Sequence, residues 1–441
     1  MPLGKQWVLG WRTPVMLAIT VVLAVGVVGF AVARGAAEED ETVTIVYLSS
    51  GSAEVEQAHD QKWVREFNEM QDEIYVDYQL TTWADIFDRL YADLGAGNPP
   101  DVVWYGHAQI NDWMEMGILE PINDWVSQDL LDQYLDHIVD ESNEIVQDGQ
   151  LYGAPFTQAS RAFIVRRDWF EEVGYPPEEI RTWDQFMEAA AAVYDPERGR
   201  YATTITLAED RMVGAALHHY YAPAFGLRNA VDFRDEMRDN YIEMLTQMQE
   251  LAEYMPPAQE GWTHRDSIIS YTEGVVAVAL QGSYFQGDLA GLAPQMAQPD
   301  VTAIMPVPTA VPGGNPHASA YTVGYSILRA AQNKEAAGRF IEFMADRDVA
   351  VEWAMNVSPH KGVTIDDRVA ALGDQVRWWE EEWGALFAGG GDVDLLSIPP
   401  YSPTSEIDSV KAEVIGDLLG GRIGPEEAYD QLKERVEAIR G

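Results

Sequence analysis

Three short runs rich in β-branched and aromatic residues, 42–48, 74–80 and 101–105, recur at intervals of about 30 residues, each followed by helical periodicity. In the first interval Trp63, Phe67 and Met70 fall on one side of a helix over 59–70; in the second, 84–94 forms another. Consecutive strands separated this way need a crossover, so the runs predict βαβ units in a largely parallel sheet. Ligands of such sheets bind beyond the carboxyl ends of the strands, where the strand order reverses. Residues 49–51, Trp83 and 104–107 are thereby expected beside a common cleft.

The alternation resumes after 162 without sequence repetition. Residues 162–166, 201–207, 271–285 and 301–308 read as strands, the third entered through Gly274 and left through Gly282. Helices are predicted over 182–193, 212–221, 236–254, 334–346, 348–354 and 425–439. Thr182 is placed as an N-cap, with Asp184 and Gln185 in the first turn. Loops are expected at 312–316, 389–391 and 399–400. No Gly/Pro/Ser-rich linker separates independent domains, so two interleaved lobes are expected.

Charge narrows the partners. The chain carries 72 acidic against 29 basic residues, a formal net charge of -43. A surface so acidic argues against nucleic acid, which needs basic patches. Its self-repulsion is tolerable where salt screens it, the Debye length at 1 M being about 3 Å, and so points to a halophilic setting. Ahead of the first strand, Lys5 and Arg12 precede an apolar run over 14–33, then small residues and the acidic stretch 38–41. Residues 1–37 are therefore expected to be a signal peptide or, uncleaved, an N-terminal membrane anchor, the run being long enough to span a bilayer. The absence of cysteine excludes disulfides, thiolate metal sites, cysteine nucleophiles and a lipid-modified cysteine.

The motifs, taken in order, resemble one family. The strings GNPPDVVWYG (97–106) and GILEPIND (117–124) are similar to its third strand and the segment after it. LYGAP (151–155) resembles its crossing into a second lobe, and TWDQF (182–186) its aromatic helix entry. YTEGVVAVALQGSY (271–284) resembles its return strand, with Val278 for Met and Tyr284 for Trp. NKEAAGRFIEF (333–343) resembles a late helix. These are marks of extracellular solute-binding proteins of family 1, the sugar-type, maltose-binding-protein-like binding proteins of ABC importers. The resemblance runs over about 42–439. It implies an α/β, two-lobed, type II periplasmic-binding-protein-like fold with a hinge and an interlobe cleft. By analogy the N-terminal lobe comprises 42–154 plus 282–322, and the C-terminal lobe 158–278 plus 328–441. It further implies an extracytoplasmic monomer that closes on a small ligand and docks on permease subunits served by a cytoplasmic ATPase, with no cofactor.

Sugars are held by aromatic faces against their C–H faces and by planar polar groups on their hydroxyls. Position in the pattern selects Trp83, Trp104, Tyr105, Tyr284, Phe285 and Tyr321 as cleft aromatics, and Ser50, Gln158, Arg161 and Ser283 as polar contacts. For each, a place in the core or in backbone support is the alternative. His218-His219 beside Tyr220-Tyr221 suggests a metal, but adjacent residues of a helix face different ways and ligands on one face need i, i+4 spacing. No metal site is expected. No Gly-x-Ser-x-Gly, His-Glu-x-x-His, phosphate-loop or dinucleotide motif is present, and the carboxylates at 380–382 are a run rather than a positioned pair, so an enzyme is not expected. Polyamine, glycerol phosphate and ferric iron remain alternative ligands, and a membrane-held ligand sensor an alternative role.

Overall fold

The computed structural model describes residues 42–50, 54–83, 85–140, 143–257, 259–353, 358–387, 392–398 and 404–441. The expected signal peptide or anchor over 1–37, Gly51 and the expected loops at 389–391 and 399–400 lie outside them. Eleven strands are present: β1 (Val43–Ser49), β2 (Ile74–Leu80), β3 (Val102–Tyr105), β4 (Leu119–Glu120), β5 (Val146–Gln147), β6 (Gln150–Leu151), β7 (Ala154–Arg166), β8 (Val278–Gly282), β9 (Thr302–Met305), β10 (His317–Leu328) and β11 (Asp394–Leu396). Nine of them form one sheet whose main path runs β2-β1-β3-β10-β7-β8, with β9 on β7 and β4 and β11 on β10. β5 and β6 form a separate hairpin, turned through Asp148 and Gly149, both at positive φ.

The expected parallel unit is present as β2-β1-β3, joined by the helix Glu54–Met70 and the helix Ile86–Ala96. Beyond β3 the main path is antiparallel: β10 runs against β3 and β7, and β7 against β8 and β9, while the short β11 lies parallel to β10. The sheet is thus mixed rather than largely parallel, because β10 returns through the middle of it from a distant part of the chain. Two further readings are corrected. The strand expected over 271–285 is present only as Val278–Gly282, ending at Gly282 as expected; Tyr271 and Thr272 close the helix His264–Thr272, which a Thr263–Asp266 capping box starts, and Phe285 opens the helix Phe285–Leu292. Residues 201–207 form only a bridge from Tyr201 to Val276. Backbone bonds of Tyr201 and Ala202 anchor its start, and side chains continue the contact, Thr203 Oγ1 donating to the Val278 carbonyl and Thr204 Oγ1 to Gln259 Oε1. The helix Trp183–Val193 has the Thr182 cap, with Gln185 completing a capping box.

Buried apolar side chains fall into three clusters. One gathers β1–β3, their helices, Phe156, Tyr325 and the helix Lys334–Met344. A second contains Phe163, Val165, Trp183, Tyr220, Met244 and the helices Thr404–Leu419 and Pro425–Arg440. The third contains Ala162, Ile164, Tyr271, Phe285, Trp379 and Trp383. The last two lie on opposite faces of β7, whose successive side chains alternate between them. β7 and β10, of 13 and 12 residues, are buried almost throughout and connect the first cluster to the others.

Their ladder slips at Val323/Gly324. A Cβ on Gly324 would sit 2.2 Å from the Ala154 carbonyl oxygen, a backbone atom that cannot swing aside. Gly324→Ala is expected to destabilise by about 1–3 kcal/mol through overpacking, measured by urea unfolding in high salt; an unchanged midpoint would refute this account of the bulge.

Candidate functional site

The crossing of β7 and β10 brings together residues distant in sequence. Arg161 lies opposite Gly282 of β8, and Tyr321 opposite Ala159. Its guanidinium stands 5.6 Å from the Tyr284 ring centroid and 5.4 Å from that of Tyr321, both within cation–π range. Arg161 donates to the Tyr284 hydroxyl at 3.1 Å, which donates on to Gln281 Oε1 at 3.1 Å. Tyr220 completes the group, its hydroxyl donating to the Gln281 carbonyl at 2.8 Å.

Tyr220 arrives there because the helix Asp210–Ala216 continues as a π-helical turn, Leu217–Tyr221. Such turns often mark functional positions. The same turn places the His219 ring 5.5 Å from Tyr321 and its Nδ1 2.9 Å from Ser319 Oγ. The His219 carbonyl accepts from His317 Nε2 at 3.1 Å. The histidine-tyrosine run is thus used for packing and hydrogen bonding, and no group of three or more metal-type ligands occurs among the described residues.

Burial controls protonation here. It pushes the Tyr220 phenol up to about 12 and that of Tyr284 further, so both are neutral at pH 7. His264 is held down to about 4, by burial first and then by the charges of Arg161 and Arg265. It presents a neutral imidazole.

A second aromatic group comes from the first cluster. Trp83 and Trp104 meet edge to face, centroids 5.3 Å apart at 85°. Trp83 packs over Gly106, where a Cβ would approach its ring to 2.7 Å. Arg211 reaches it from the helix leading into the π turn, donating to the Trp83 carbonyl at 3.1 Å and lying 4.0 Å over the Phe87 ring. A second contact joins the same two parts: Asp112 Oδ1 accepts from the Thr404 amide at 3.1 Å and its hydroxyl at 2.8 Å, at the start of the helix Thr404–Leu419.

Of the residues singled out by sequence, Arg161, Tyr284 and Tyr321 form one group and Trp83 and Trp104 another. Tyr105 points into the core, its ring over Gly153, where a Cβ would come within 2.4 Å. Phe285 is likewise fully buried, edge to face with Tyr271 at 5.5 Å. Gln158 bonds His137, Nε2 to Nε2, at 3.1 Å. Ser283 braces the turn after β8, its Oγ accepting from the Ser160 amide and its carbonyl from Trp379 Nε1. Ser50 is buried with no hydrogen-bond partner for its Oγ among the described residues. His264, Gln281 and Arg211 were not selected; the run 218–221 was weighed as a whole for the cleft, and Tyr220 and His219 are its members beside Arg161 and Tyr321. The Gly274–Gly282 motif was the signal nearest to Gln281.

The sequence profile of bacterial extracellular solute-binding proteins matches residues 51–351. An arabinooligosaccharide-binding protein of Halalkalibacterium halodurans is 23% identical over 317 residues, 67% of this chain and 67% of that one. Among solved structures, an ABC transporter solute-binding protein of Thermotoga lettingae bound to α-D-tagatose superposes with a TM-score of 0.72 at 19% identity, covering 91% of this chain and 100% of that one. The acarbose-binding GacH receptor of Streptomyces glaucescens does so with a TM-score of 0.71 at 16% identity, covering 90% and 99%.

Two outcomes follow from this geometry. His317, 2% exposed, is held down to about 4 by burial. Unfolded, it takes up a proton near its ordinary value of about 6.5, so stability is full above that pH and declines as pH falls toward 4. The urea midpoint should drop between pH 7 and pH 4.5, and by less in His317→Gln; equal drops would refute the assignment. Asp112→Ala should cost about 1 kcal/mol, the usual worth of a helix N-terminal acceptor, read from the same unfolding curves at pH 7; no loss would show that Asp112 does not support that helix.

Proposed function

Because the chain belongs to the bacterial extracellular solute-binding proteins, we propose that it captures a saccharide between two lobes and delivers it to an ABC-importer permease. The first lobe in this reading is the cluster around β1–β3 with the helix Lys334–Met344. The second comprises the two clusters on either face of β7 beyond Ala162. These boundaries move residues 334–353 to the first lobe, and the helix Phe285–Leu292 to the second, relative to the division expected from sequence. β7 and β10 are the hinge strands. The chain works outside the cytoplasm, exported through its N-terminal segment or held by it.

The observation that carries this reading is the pairing of aromatic faces with a planar cation at the crossing of the hinge strands. Tyr284 and Tyr321 flank Arg161 there, and Trp83 and Trp104 stand at the ends of the first lobe's sheet. Rings meet the C–H face of a pyranose, and guanidinium, amide and hydroxyl groups meet its rim. Trp83, Trp104, Tyr284, Tyr321 and Arg161 are the proposed ligand contacts, with His264 and Ser50 as further polar groups. The sugar-binding relatives support the ligand class.

In a thermal-unfolding screen at high salt, a saccharide at 100 times its dissociation constant should add about 2.7 kcal/mol of stability. Trp83→Ala or Tyr284→Ala should weaken its binding about tenfold or more, equivalent to about 1.4 kcal/mol. Stabilisation by polyamines or ferric iron alone, with no saccharide effective, would overturn the reading.

A further inference from the structure

Three cations are buried among the described residues: Arg161 at 9% exposure, Arg368 at 3% and Lys411 at 0%. Arg368 lies 2.8 Å from Glu380, and Lys411 lies 3.3 Å from Asp408. A buried charge is costly unless an opposite charge and hydrogen bonds offset its lost hydration, and both follow that rule. Arg161 does not. It forms no ion pair with any described carboxylate, in a chain with 72 acidic residues available to supply one. Its neighbours are the phenols of Tyr220, Tyr284 and Tyr321, and burial keeps those of Tyr220 and Tyr284 neutral at pH 7. Phenol rings and hydroxyls solvate the guanidinium but do not neutralise it. Its Nε is shut off from solvent and finds no acceptor among the described residues.

The surroundings are arranged for an anion from elsewhere. The helix Phe285–Leu292 begins directly after Tyr284, with no side-chain cap at its start; its first turn carries Asp288, whose charge is taken up by Arg265 at 3.3 Å, and amides at a helix start favour negative charge. His264 lies close enough to feel the Arg161 charge and, being neutral, can hydrogen-bond an oxygen of either kind. Guanidinium presents a planar fork that matches the two oxygens of a carboxylate or phosphate. Resting on the saccharide reading above, we infer that the ligand is an acidic saccharide whose anionic group, a carboxylate or a phosphate, supplies the missing counter-charge to Arg161. Tyr284 and Tyr321 then hold the guanidinium in place rather than serving only as stacking platforms. The acidic surface does not oppose this at high salt, where charges beyond about 3 Å are screened.

The test is titration calorimetry of the full chain in high salt against three sets: neutral mono- and oligosaccharides, the corresponding uronates and oligouronates, and hexose phosphates. An acidic saccharide should bind, and its neutral counterpart, with the carboxylate reduced to hydroxymethyl, at least about 30-fold more weakly, the lower end of what losing one partner of a buried charge pair costs. Binding confined to the uronates or to the phosphates identifies the source of the charge. This comparison uses only the natural chain and survives any folding defect of a variant. Arg161→Gln should lose the acidic ligand by a similar factor, while its unliganded melting temperature stays equal or rises, since an uncompensated buried charge has been removed. Arg161→Lys should restore part of the affinity. A neutral saccharide bound equally well by the natural chain and by Arg161→Gln would overturn the inference and leave the saccharide reading standing. Binding of no saccharide at all, with a polyamine or iron bound instead, would overturn both.

Discussion

The antiparallel ladder between β7 and β10 is the constraint on which the rest of the molecule depends. Strands of 13 and 12 residues are long for a globular protein, and here nearly every residue is buried. One part of the ladder packs against the β1–β3 cluster; beyond Ala162, β7 separates two further clusters. Its register sets Tyr321 opposite Ala159 and Thr322 opposite Gln158, and the pairing with β8 sets Arg161 opposite Gly282. A one-residue slip would turn Arg161 and Tyr321 to the other face and dismantle the tyrosine cage. Buried Glu144 reinforces the register, accepting from the Thr322 amide and hydroxyl.

Much of this was legible where the sequence carries chemical punctuation. Gly97 ends the helix Ile86–Ala96 in the left-handed conformation, which the GNPPD string signals directly. The Tyr-Gly-x-Pro string predicts a tight crossing, and the structure supplies the reason: Gly153 leaves room for the Tyr105 ring. Adjacent aromatics were harder. Trp104 and Tyr105 alternate in a strand, so their side chains point to opposite faces, and Tyr105 goes to the core. Tyr220 could not be placed because helical periodicity assumes 3.6 residues per turn, and the π turn rotates it off that phase. His264 was hidden because no element was read between 254 and 271, although Thr263 caps the helix that carries it. The mixed sheet was illegible for a topological reason: β10 (His317–Leu328) pairs with β3 (Val102–Tyr105) and β7 (Ala154–Arg166), both far back in the chain, and nothing local in any of them records the pairing.

The balance of charges follows one rule with one exception. Carboxylates outnumber cations so heavily that surface arginines find partners readily: Arg167 reaches both Glu178 and Glu382, and Arg234 reaches Asp232 and Glu236. Pairs exposed on both sides, such as Arg234 with Glu236, contribute little each, and less in salt. Buried cations are the informative ones. Arg368 and Lys411 are paired within the fold. Arg161 alone among them is left to phenol rings and hydroxyls, where β7 pairs with β8 and β10. A structural arginine in this chain had every opportunity to acquire a carboxylate neighbour, and the one that lacks it is the one best placed to meet a ligand.

The contacts between the two proposed lobes bear on how a ligand could control them. Arg211 to the Trp83 carbonyl and Asp112 to the start of the helix Thr404–Leu419 are hydrogen bonds of the ordinary kind, each worth about 1–2 kcal/mol net. Moving a closing equilibrium from 1:99 to 99:1 takes about 5.5 kcal/mol of differential affinity. Two such bonds fall short of that once the ordering of their side chains is subtracted. Arg161 is already buried by its own neighbours, Tyr284 and Tyr321 among them, so its hydration is lost before any ligand arrives. In the proposed reading an anionic ligand adds the charge-assisted bond that this guanidinium lacks, a contribution larger than either of the two contacts above.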